Sequence, residues 1–314
     1  MSYLLKLLGL FVLMRLSSSQ ACPSDSDLNA DVIIIGAGMA GISAAERLQE
    51  GGINNILILE GSEKIGGRVC SVEMGGVTIS KGCAWIQGVD KTQPDLNPLW
   101  KIAHRYSDLR GLYLDYDSLT NYDSLGNQPD EAQFRNQEFY AALNVTDIIA
   151  KQLSESGGCA NVNFRSGLSQ GGWTPESDID DWIEWFNSDY YAGEEPENLS
   201  LCLHENNPTY TAFVSGADRT GSDYFVTDPN GYESIIEGMA NDAKLMSNQT
   251  RVVFNAEVTA VDTSRGDCVC VTANLNGVTN YCAKYAISTV SVGVLQQESI
   301  QFIPELLTPK KEVI

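Results

Sequence analysis

The sequence has few basic residues, almost no histidine and no apolar run long enough to cross a membrane as a helix. Among 314 residues, 20 are Lys or Arg and 41 are Asp or Glu, which gives a formal net charge of −21. This balance argues against a nucleic-acid partner and suits a cationic one. Because the only histidines are His104 and His204, no Ser/His/Asp catalytic set can be argued, and both are interpreted as surface or packing residues.

The eight cysteines contain no C-x-x-C pair and no zinc-ribbon spacing, so no metal site is predicted. In an oxidising compartment some of them could form disulfides, but the sequence alone does not say which. Cys70 and Cys83 are predicted to be buried free cysteines.

The N-terminal residues Met1 to Ala21 have the pattern of a secretory signal peptide. Lys6 supplies the positive charge, Leu7 to Met14 supplies the apolar run, and small residues follow before Ala21. We therefore expect a secreted, extracellular protein without a transmembrane segment. In that case Asn144, Asn198 and Asn248 are glycosylation acceptors, because each begins an Asn-x-Ser/Thr triplet.

The rest of the chain is organised around the stretch from Asp31 to Glu60. An apolar, β-branched run ending at Ile35 predicts a buried strand, and Gly36-Ala37-Gly38-Met39-Ala40-Gly41 then leads into a helix that stops at Gly51-Gly52. A second apolar strand ends on Glu60. The three glycines suit a tight turn, close approach of a pyrophosphate and close helix–strand packing, while Glu60 can accept a ribose hydroxyl. This order of features predicts dinucleotide binding.

A second glycine turn, Gly66-Gly67-Arg68, follows closely after the acid. The glycines allow the backbone to lie near a ligand, and Arg68 can form charge-assisted hydrogen bonds to phosphate oxygens. The residues from Cys70 to Ser80 then predict a hairpin turned at Gly75-Gly76.

These segments, together with Gly82-Cys-Ala-Trp85-Ile-Gln-Gly88 and Asn97-Pro-Leu-Trp100, resemble the flavin-dependent amine oxidase family, and its secreted polyamine oxidases in particular. The resemblance implies FAD as the cofactor, with Arg68 on its pyrophosphate, the Gly82–Trp85 segment beside the isoalloxazine and the backbone at Val258 holding the adenine. The cofactor-binding residues it implies are Gly36, Ala37, Gly38, Met39, Ala40, Gly41, Glu60, Gly66, Gly67, Arg68, Gly82, Ala84 and Val258.

Substrate contacts are also implied by the resemblance. The run from Asp189 to Leu201 resembles a family stretch in which a glutamate lines the entrance for the cationic substrate; Glu194 is the best match and Glu195 the alternative. Trp85, Gln87 and Glu194 are therefore the predicted substrate-binding residues. Upstream, Ile179, Trp182, Ile183 and Phe186 have the spacing of one apolar helix face, which is more often core than a binding wall.

The last third of the sequence alternates strand and helix signals. Gly231 is predicted to cap a helix whose apolar face is Tyr232, Ile235, Ile236 and Met239. The run from Arg251 to Val261 predicts a strand, Asn276-Gly277 predicts a hairpin turn, and Tyr285 to Val290 predicts a strand that returns to the sheet.

The predicted fold class is α/β, a Rossmann-like FAD-binding domain with an inserted α+β substrate-binding domain. We divide the chain into the signal peptide 1–21, a first FAD segment 22–105, a substrate segment 106–228 and a second FAD segment 229–314. In the family, the remainder of both domains and a lysine that positions a water at flavin N5 come after the point matching Ile314. The C-terminal part is therefore expected to be missing, no catalytic residue is assigned within this chain, and the chain as written is expected to be inactive and to retain FAD poorly.

The implied function is FAD-dependent oxidation of amines, in particular polyamines such as spermine and spermidine, with oxygen as acceptor and hydrogen peroxide as product. No second strand-linked G-x-G-x-x-G is present, which argues against an NAD(P)H domain and favours an oxidase. The alternatives are a related flavoenzyme of the L-amino-acid oxidase type, which needs an arginine for the substrate carboxylate, and a truncated non-catalytic short form.

Overall fold

A computed structural model of the chain describes residues 11–12, 29–89, 97–106, 109–113, 122, 125–127, 131–157, 162–202, 222–243, 245 and 250–307. The chain divides into two units. The first takes in Met1–Ile86, Pro98–Leu112 and Tyr224–Ile314, and the second takes in Gln87–Asn97 and Tyr113–Asp223. The predicted substrate segment, 106–228, encloses the longer stretch of the second unit. Apart from residues 11–12, the predicted signal peptide lies outside the described residues, as do His204 and Asn248.

The strands of the described residues are β1 (Phe11–Val12), β2 (Ala30–Ile35), β3 (Ile56–Leu59), β4 (Ser71–Met74), β5 (Val77–Ser80), β6 (Trp85–Val89), β7 (Gly111–Tyr113), β8 (Ser222–Val226), β9 (Thr250–Val253), β10 (Glu257–Asp262), β11 (Val269–Asn274), β12 (Val278–Ser288) and β13 (Gln301–Ile303). The helices are α1 (Met39–Glu50), α2 (Pro98–Tyr106), α3 (Glu131–Ser156), α4 (Phe164–Gln170), α5 (Asp178–Glu184), α6 (Tyr190–Ala192), α7 (Glu233–Asp242) and α8 (Val292–Gln296), with a π-helix over Trp185–Asp189.

The main sheet has the strand order β13-β10-β11-β12-β2-β3-β9, and β1 also pairs with β12. Strands β12, β2, β3 and β9 run parallel, whereas β10, β11 and β12 form an antiparallel meander. The side chains of β3 are all buried and those of β2 nearly so, which explains their continuous apolar sequence. The carboxyl ends of β2 and β3 therefore lie side by side, as the α/β prediction requires.

The predicted strand from Arg251 to Val261 is wrong as a single element. The structure divides it into β9, which pairs with β3, and β10, which pairs with β11 and β13. The division falls at Asn255, whose φ of 53° is a left-handed conformation that Asn adopts more readily than most residues. Turning the chain here places the start of β10 beside the end of β3.

Both predicted hairpins are confirmed. Strands β4 and β5 pair antiparallel around Gly75-Gly76, and β11 and β12 pair antiparallel around Asn276-Gly277. Both residues of the second turn have positive φ, 51° and 136°, which is why an Asn-Gly pair suits it. Two smaller sheets are β4-β5 and β6-β8-β7.

Helix α7 has the predicted buried face, because Ile235, Ile236 and Met239 are almost fully excluded from solvent. The prediction that Gly231 caps it needs a correction. The N-cap residue is Tyr232, the helix begins at Glu233, and Gly231, with φ of 70°, lies in the turn before the N-cap.

The core of the second unit is helical and consists of Phe139, Ala142, Leu143, Ala150, Phe164, Leu168, Trp173, Ile183 and Leu201. The predicted apolar helix face is confirmed only in part. Ile183 is fully buried, but Trp182 is 36% exposed and stacks on Phe186 with the ring centroids 5.4 Å apart. Phe186, the last residue of the predicted face, lies in the π-helix that begins at Trp185, where the residue spacing differs from that of α5.

The described cysteines are of two kinds. Cys270 and Cys282 lie opposite each other on β11 and β12 and form a disulfide with each other. Cys202 and Cys268 each take part in a separate disulfide. Cys70 and Cys83 are free, as predicted. Their predicted burial is wrong: Cys70 is half-buried, and Cys83 is exposed because it follows an exposed turn at the end of β5.

In the part of the chain that the structure describes, we find no helix with the length and apolar character needed to span a membrane.

Candidate cofactor-binding site

The glycine loop between β2 and α1 is tightly packed on one side and open on the other. A Cβ on Gly41 would overlap the carbonyl oxygen of Gly36, so no larger residue fits there. The nearest atom to a Cβ on Gly38, by contrast, is a carbonyl oxygen 3.9 Å away. The loop thus needs Gly41 for its own packing and leaves space at Gly38 that a ligand can fill.

Helix α1 offers its N-terminus to this space. Gly38 is the N-cap residue, no side chain caps the helix, and the first turn, which begins with Met39 and Ala40, contains no acidic residue. A helix of 12 residues with uncapped N–H groups carries a partial positive charge at this end. The arrangement is suited to a phosphate group.

Glu60 lies at the end of β3, next to the loop. One carboxylate oxygen accepts the main-chain N–H of Ala37 at 2.7 Å, and the other accepts the N–H and hydroxyl of Ser62 at 2.8 and 2.7 Å. Two carboxylate oxygens have about four acceptor positions, so Glu60 keeps capacity for one more donor. These contacts also show that the N–H of Ala37 is used within the protein.

The second glycine turn packs directly against the first. The N–H of Gly66 donates to the carbonyl of Ala37 at 2.9 Å, and Gly38 and Gly66 form a parallel β-bridge. A hydrogen bond from the N–H of Val69 to the carbonyl of Gly66, 3.0 Å long, closes the turn that contains Gly67. A Cβ on Gly67 would lie 3.6 Å from the Cα of Gly38, so the turn approaches the loop closely. Arg68, the next residue, is exposed.

The segment after β5 is fitted to this turn. A Cβ on Gly82 would overlap the carbonyl oxygen of Arg68, so Gly82 is required for the two segments to approach. Two residues later, the carbonyl of Ala84 accepts the N–H of Val226 at 2.9 Å.

Val258, the predicted adenine contact, is buried near the start of β10. The start of that strand is joined to the end of β3, because the N–H of Ala256 donates to the carbonyl of Glu60 at 2.8 Å and that of Asn255 to the carbonyl of Ser62 at 2.9 Å. The structure thus brings the predicted cofactor residues from four separate segments of the sequence together around one edge of the sheet.

Comparison with known proteins identifies the family. The family model described as "Flavin containing amine oxidoreductase" matches residues 39–314.

The chain belongs to the flavin-containing amine oxidoreductase family.

Two similar proteins and one similar structure illustrate this membership. The chain is 33% identical to polyamine oxidase 6 of Oryza sativa subsp. japonica over 95% of its own length and 60% of that protein. It is 29% identical to polyamine oxidase 1 of Zea mays over 96% of its length and 61% of that protein. A structure of putrescine oxidase bound to putrescine shares the fold, with a TM-score of 0.68 and 19% identity over 90% of this chain and 62% of that one. The chain therefore spans about three fifths of the length of these relatives.

FAD is the cofactor of this flavin-containing family, and the residues present fit it. The space at Gly38, the uncapped N-terminus of α1 and the exposed guanidinium of Arg68 suit the pyrophosphate. The remaining acceptor capacity of Glu60 suits a ribose hydroxyl. When bound, FAD supplies the oxidising power for amine oxidation.

The predicted substrate residues belong to both units, and each is described within its own unit. Trp85 is half-buried in the first unit and packs on Phe225, with the ring centroids 4.4 Å apart. Gln87 has an exposed side chain, and its carbonyl accepts the amide of Asn97 at 2.8 Å. Glu194 is exposed in the second unit. Their roles stay predictions.

The sequence analysis missed two residues of the cofactor site. Thr289, just after β12, donates its hydroxyl to the carbonyl of Ile35 at 2.8 Å and packs against Gly36 and Gly41. The predicted strand from Tyr285 to Val290 returns to the sheet, and this signal could have placed Thr289 near the sheet. Ser62, which holds Glu60, gave no such signal, because a serine in a loop is common.

Proposed function

We propose that the whole protein oxidises polyamines such as spermine and spermidine through bound FAD, with oxygen as the acceptor and hydrogen peroxide as the product. The observation that carries this proposal is the similarity to polyamine oxidases of rice and maize, which extends over 95% and 96% of the chain. Membership of the family supports amine oxidation in general. We propose in addition that the substrate is a polyamine, that oxygen is the acceptor and that hydrogen peroxide is the product.

The charge of the chain supports a cationic substrate. The formal net charge is −21, and clefts with an excess of one sign of charge attract ligands of the other sign. In the second unit, Glu194 is exposed, and the amide of Asn198 reaches its carboxylate only at 3.5 Å. Glu197 on the same segment is paired with Arg165, so Glu194 is the better candidate for an ammonium group.

The proposed work of this chain is to bind and orient the cofactor. The first unit holds the pyrophosphate between the N-terminus of α1 and Arg68, and Glu60 fixes the ribose. Trp85, at the start of β6, contributes an aromatic wall on the substrate side. Positioning of this kind is what a protein adds to a flavin, which when bound would supply the redox chemistry of amine oxidation.

Oxygen is proposed as the acceptor because the sequence contains one strand-linked G-x-G-x-x-G and no second one for a nicotinamide cofactor. Secretion is proposed from the N-terminal pattern of residues 1–21. The disulfide between Cys270 and Cys282 supports it, because such bonds persist mainly in oxidising compartments.

The test is a peroxide assay on the whole protein loaded with FAD, with spermine, spermidine and a set of L-amino acids as substrates. We expect peroxide with the polyamines and none with amino acids. Peroxide with amino acids alone would replace the proposal by an L-amino-acid oxidase, and FAD binding without turnover of either class would replace it by a non-catalytic form. A matched assay under nitrogen, in which the flavin is bleached by spermine and recolours in air, tests the acceptor.

A further inference from the structure

Among the described residues, no side chain forms a hydrogen bond or an ion pair that would hold the guanidinium of Arg68 in place. Arg68 is also exposed. Its direction therefore depends on the backbone turn over Gly66–Val69. An arginine that binds a pyrophosphate must present its guanidinium at a defined place, so whatever fixes this turn affects cofactor binding.

Glu233 contacts the chain on both sides of that turn. One carboxylate oxygen accepts the ammonium of Lys64 at 3.1 Å, and the other accepts the main-chain N–H of Ser71 at 2.9 Å. Lys64 precedes Gly66 by two positions and Ser71 follows Arg68 by three. A single carboxylate thus joins the two ends of the segment that carries Arg68.

Glu233 is itself held firmly. It is the first residue of α7, where the helix dipole favours a negative charge, and its side chain is only 17% exposed. The helix is anchored by its buried face, and Gly231 before it packs on Ser71, since a Cβ there would lie 2.9 Å from the serine hydroxyl oxygen. The carboxylate is therefore a fixed point against which the turn is aligned.

We propose that Glu233 is a positioning residue for FAD binding, which aligns the Gly66–Val69 turn so that Arg68 meets the pyrophosphate. The proposal depends on the cofactor site alone and not on the identity of the amine. Lys64 is charged at physiological pH, because the ordinary pKa of a lysine is about 10.4, and the hydrogen bond to Glu233 raises the pKa of Lys64 further. Glu233 acts through Arg68 and touches no part of the cofactor itself.

The first experiment titrates the 314-residue chain and its Glu233→Ala variant with ADP, which contains the pyrophosphate, and with adenosine, which does not. We expect ADP to bind about three- to tenfold more weakly to the variant, since a misaligned arginine loses part of a charge-assisted interaction worth about ten- to a hundredfold. Adenosine should bind equally to both. Glu237→Ala, on an exposed position of the same helix, is the matched control and should change neither ligand.

The second experiment is a double-mutant cycle with Arg68→Ala, which separates positioning from a general structural role. If Glu233 acts through Arg68, then Glu233→Ala weakens ADP binding in the parent but not in the Arg68→Ala background. The same loss in both backgrounds, an equal loss of adenosine binding, or no loss at all would overturn the proposal.

A milder variant keeps the proposal testable if Glu233→Ala does not fold. Lys64→Met removes one of the two contacts at a side chain that is 51% exposed, so folding should be retained. We expect ADP affinity to fall by about two- to threefold, in line with the loss of one partly exposed ion pair. Lys101→Met, also exposed and in the same unit, controls for the lost charge. Equal ADP affinity in the two lysine variants would contradict the proposal.

Discussion

The main-chain N–H of Gly66 donates to the carbonyl oxygen of Ala37 at 2.9 Å. This single hydrogen bond joins the turn that carries Arg68 to the glycine loop before α1, although a helix and a strand separate the two in the sequence. With the bridge between Gly38 and Gly66, it makes one phosphate-binding surface from two motifs.

Gly41→Ala should abolish ADP and FAD binding and destabilise the first unit. The new Cβ would overlap the carbonyl oxygen of Gly36, so α1 must move away from β2, and overpacking of this kind costs about 1–3 kcal/mol or more. Thermal unfolding and an ADP titration measure the two effects. The matched control is Gly293→Ala in α8, where a Cβ has ample space and the change should be neutral or slightly stabilising. An unchanged ADP affinity in Gly41→Ala would contradict the packing described.

Asp180→Asn should destabilise the second unit at neutral pH. Asp180 is 1% exposed and accepts two hydrogen bonds from Arg135, at 2.6 and 2.7 Å. The variant removes the buried negative charge opposite Arg135, which keeps only its ion pair with the more exposed Glu138. We therefore expect a loss of about 1–3 kcal/mol in the free energy of unfolding. Urea unfolding followed by tryptophan fluorescence measures it, with the exposed Asp181→Asn as control.

The same pair predicts a pH dependence. The hydrogen bonds that Asp180 accepts from Arg135 lower the pKa of Asp180 below its ordinary value. A carboxyl group with a depressed pKa contributes stability that is complete above the pKa of the unfolded chain, about 3.9, and is lost as the pH falls through the folded value. The difference in unfolding free energy between the parent and Asp180→Asn should therefore shrink below about pH 4. A difference that stays constant from pH 7 to pH 3 would contradict this assignment.

Glu194→Gln should raise the KM for spermine in the whole protein with little effect on kcat, if Glu194 binds the cationic substrate. An exposed ion pair contributes about 0.2–1 kcal/mol, so the expected increase is about two- to fivefold. Glu195→Gln is the matched comparison, because Glu195 is the alternative acid on the same loop. A rise in KM for Glu195→Gln alone would transfer the role to Glu195.

Cys83 should be alkylated by iodoacetamide before Cys70, and bound ADP should slow the reaction. Cys83 is the more exposed of the two free thiols and follows Gly82, which packs on Arg68. Although the residue as a whole is exposed, partial desolvation of its sulfur raises the pKa of the Cys83 thiol above its ordinary value, and Arg68 opposes the shift. Alkylation should therefore accelerate well into the alkaline range. Peptide mass spectrometry identifies the modified cysteine, and modification of Cys70 first would contradict the exposure described.

The parts of the fold that were predicted correctly from the sequence are those with local causes. The apolar strand before Gly36, the glycine loop, α1 and Glu60 are close in sequence, and each residue type has one physical reason for its place. Asn255 was missed because the residues around it alternate like one strand, and only the left-handed conformation of Asn255 separates β9 from β10. The π-helix after Glu184 was missed for a similar reason, since its sequence keeps an ordinary helical spacing.

Contacts between residues that are distant in the sequence were also not predicted. The predicted return of the strand after Tyr285 could place Thr289 near the sheet, but it does not identify Gly36 and Gly41 as the residues that Thr289 contacts. Nothing near Glu233 indicates that it contacts Lys64 and Ser71. These contacts exist because the parallel sheet and α7 bring distant segments to one edge, and they are visible only once that topology is known.

The most direct test of the central claim, that Gly38, α1 and Arg68 form the FAD pyrophosphate site, is the FAD dissociation constant of the whole protein and of its Arg68→Ala variant, measured by flavin fluorescence. Because Arg68 is exposed, the unfolding midpoint should stay the same. Affinity should fall by about ten- to a hundredfold, the value of a charge-assisted hydrogen bond of about 1.5–3 kcal/mol. Equal dissociation constants for the two proteins would contradict the account.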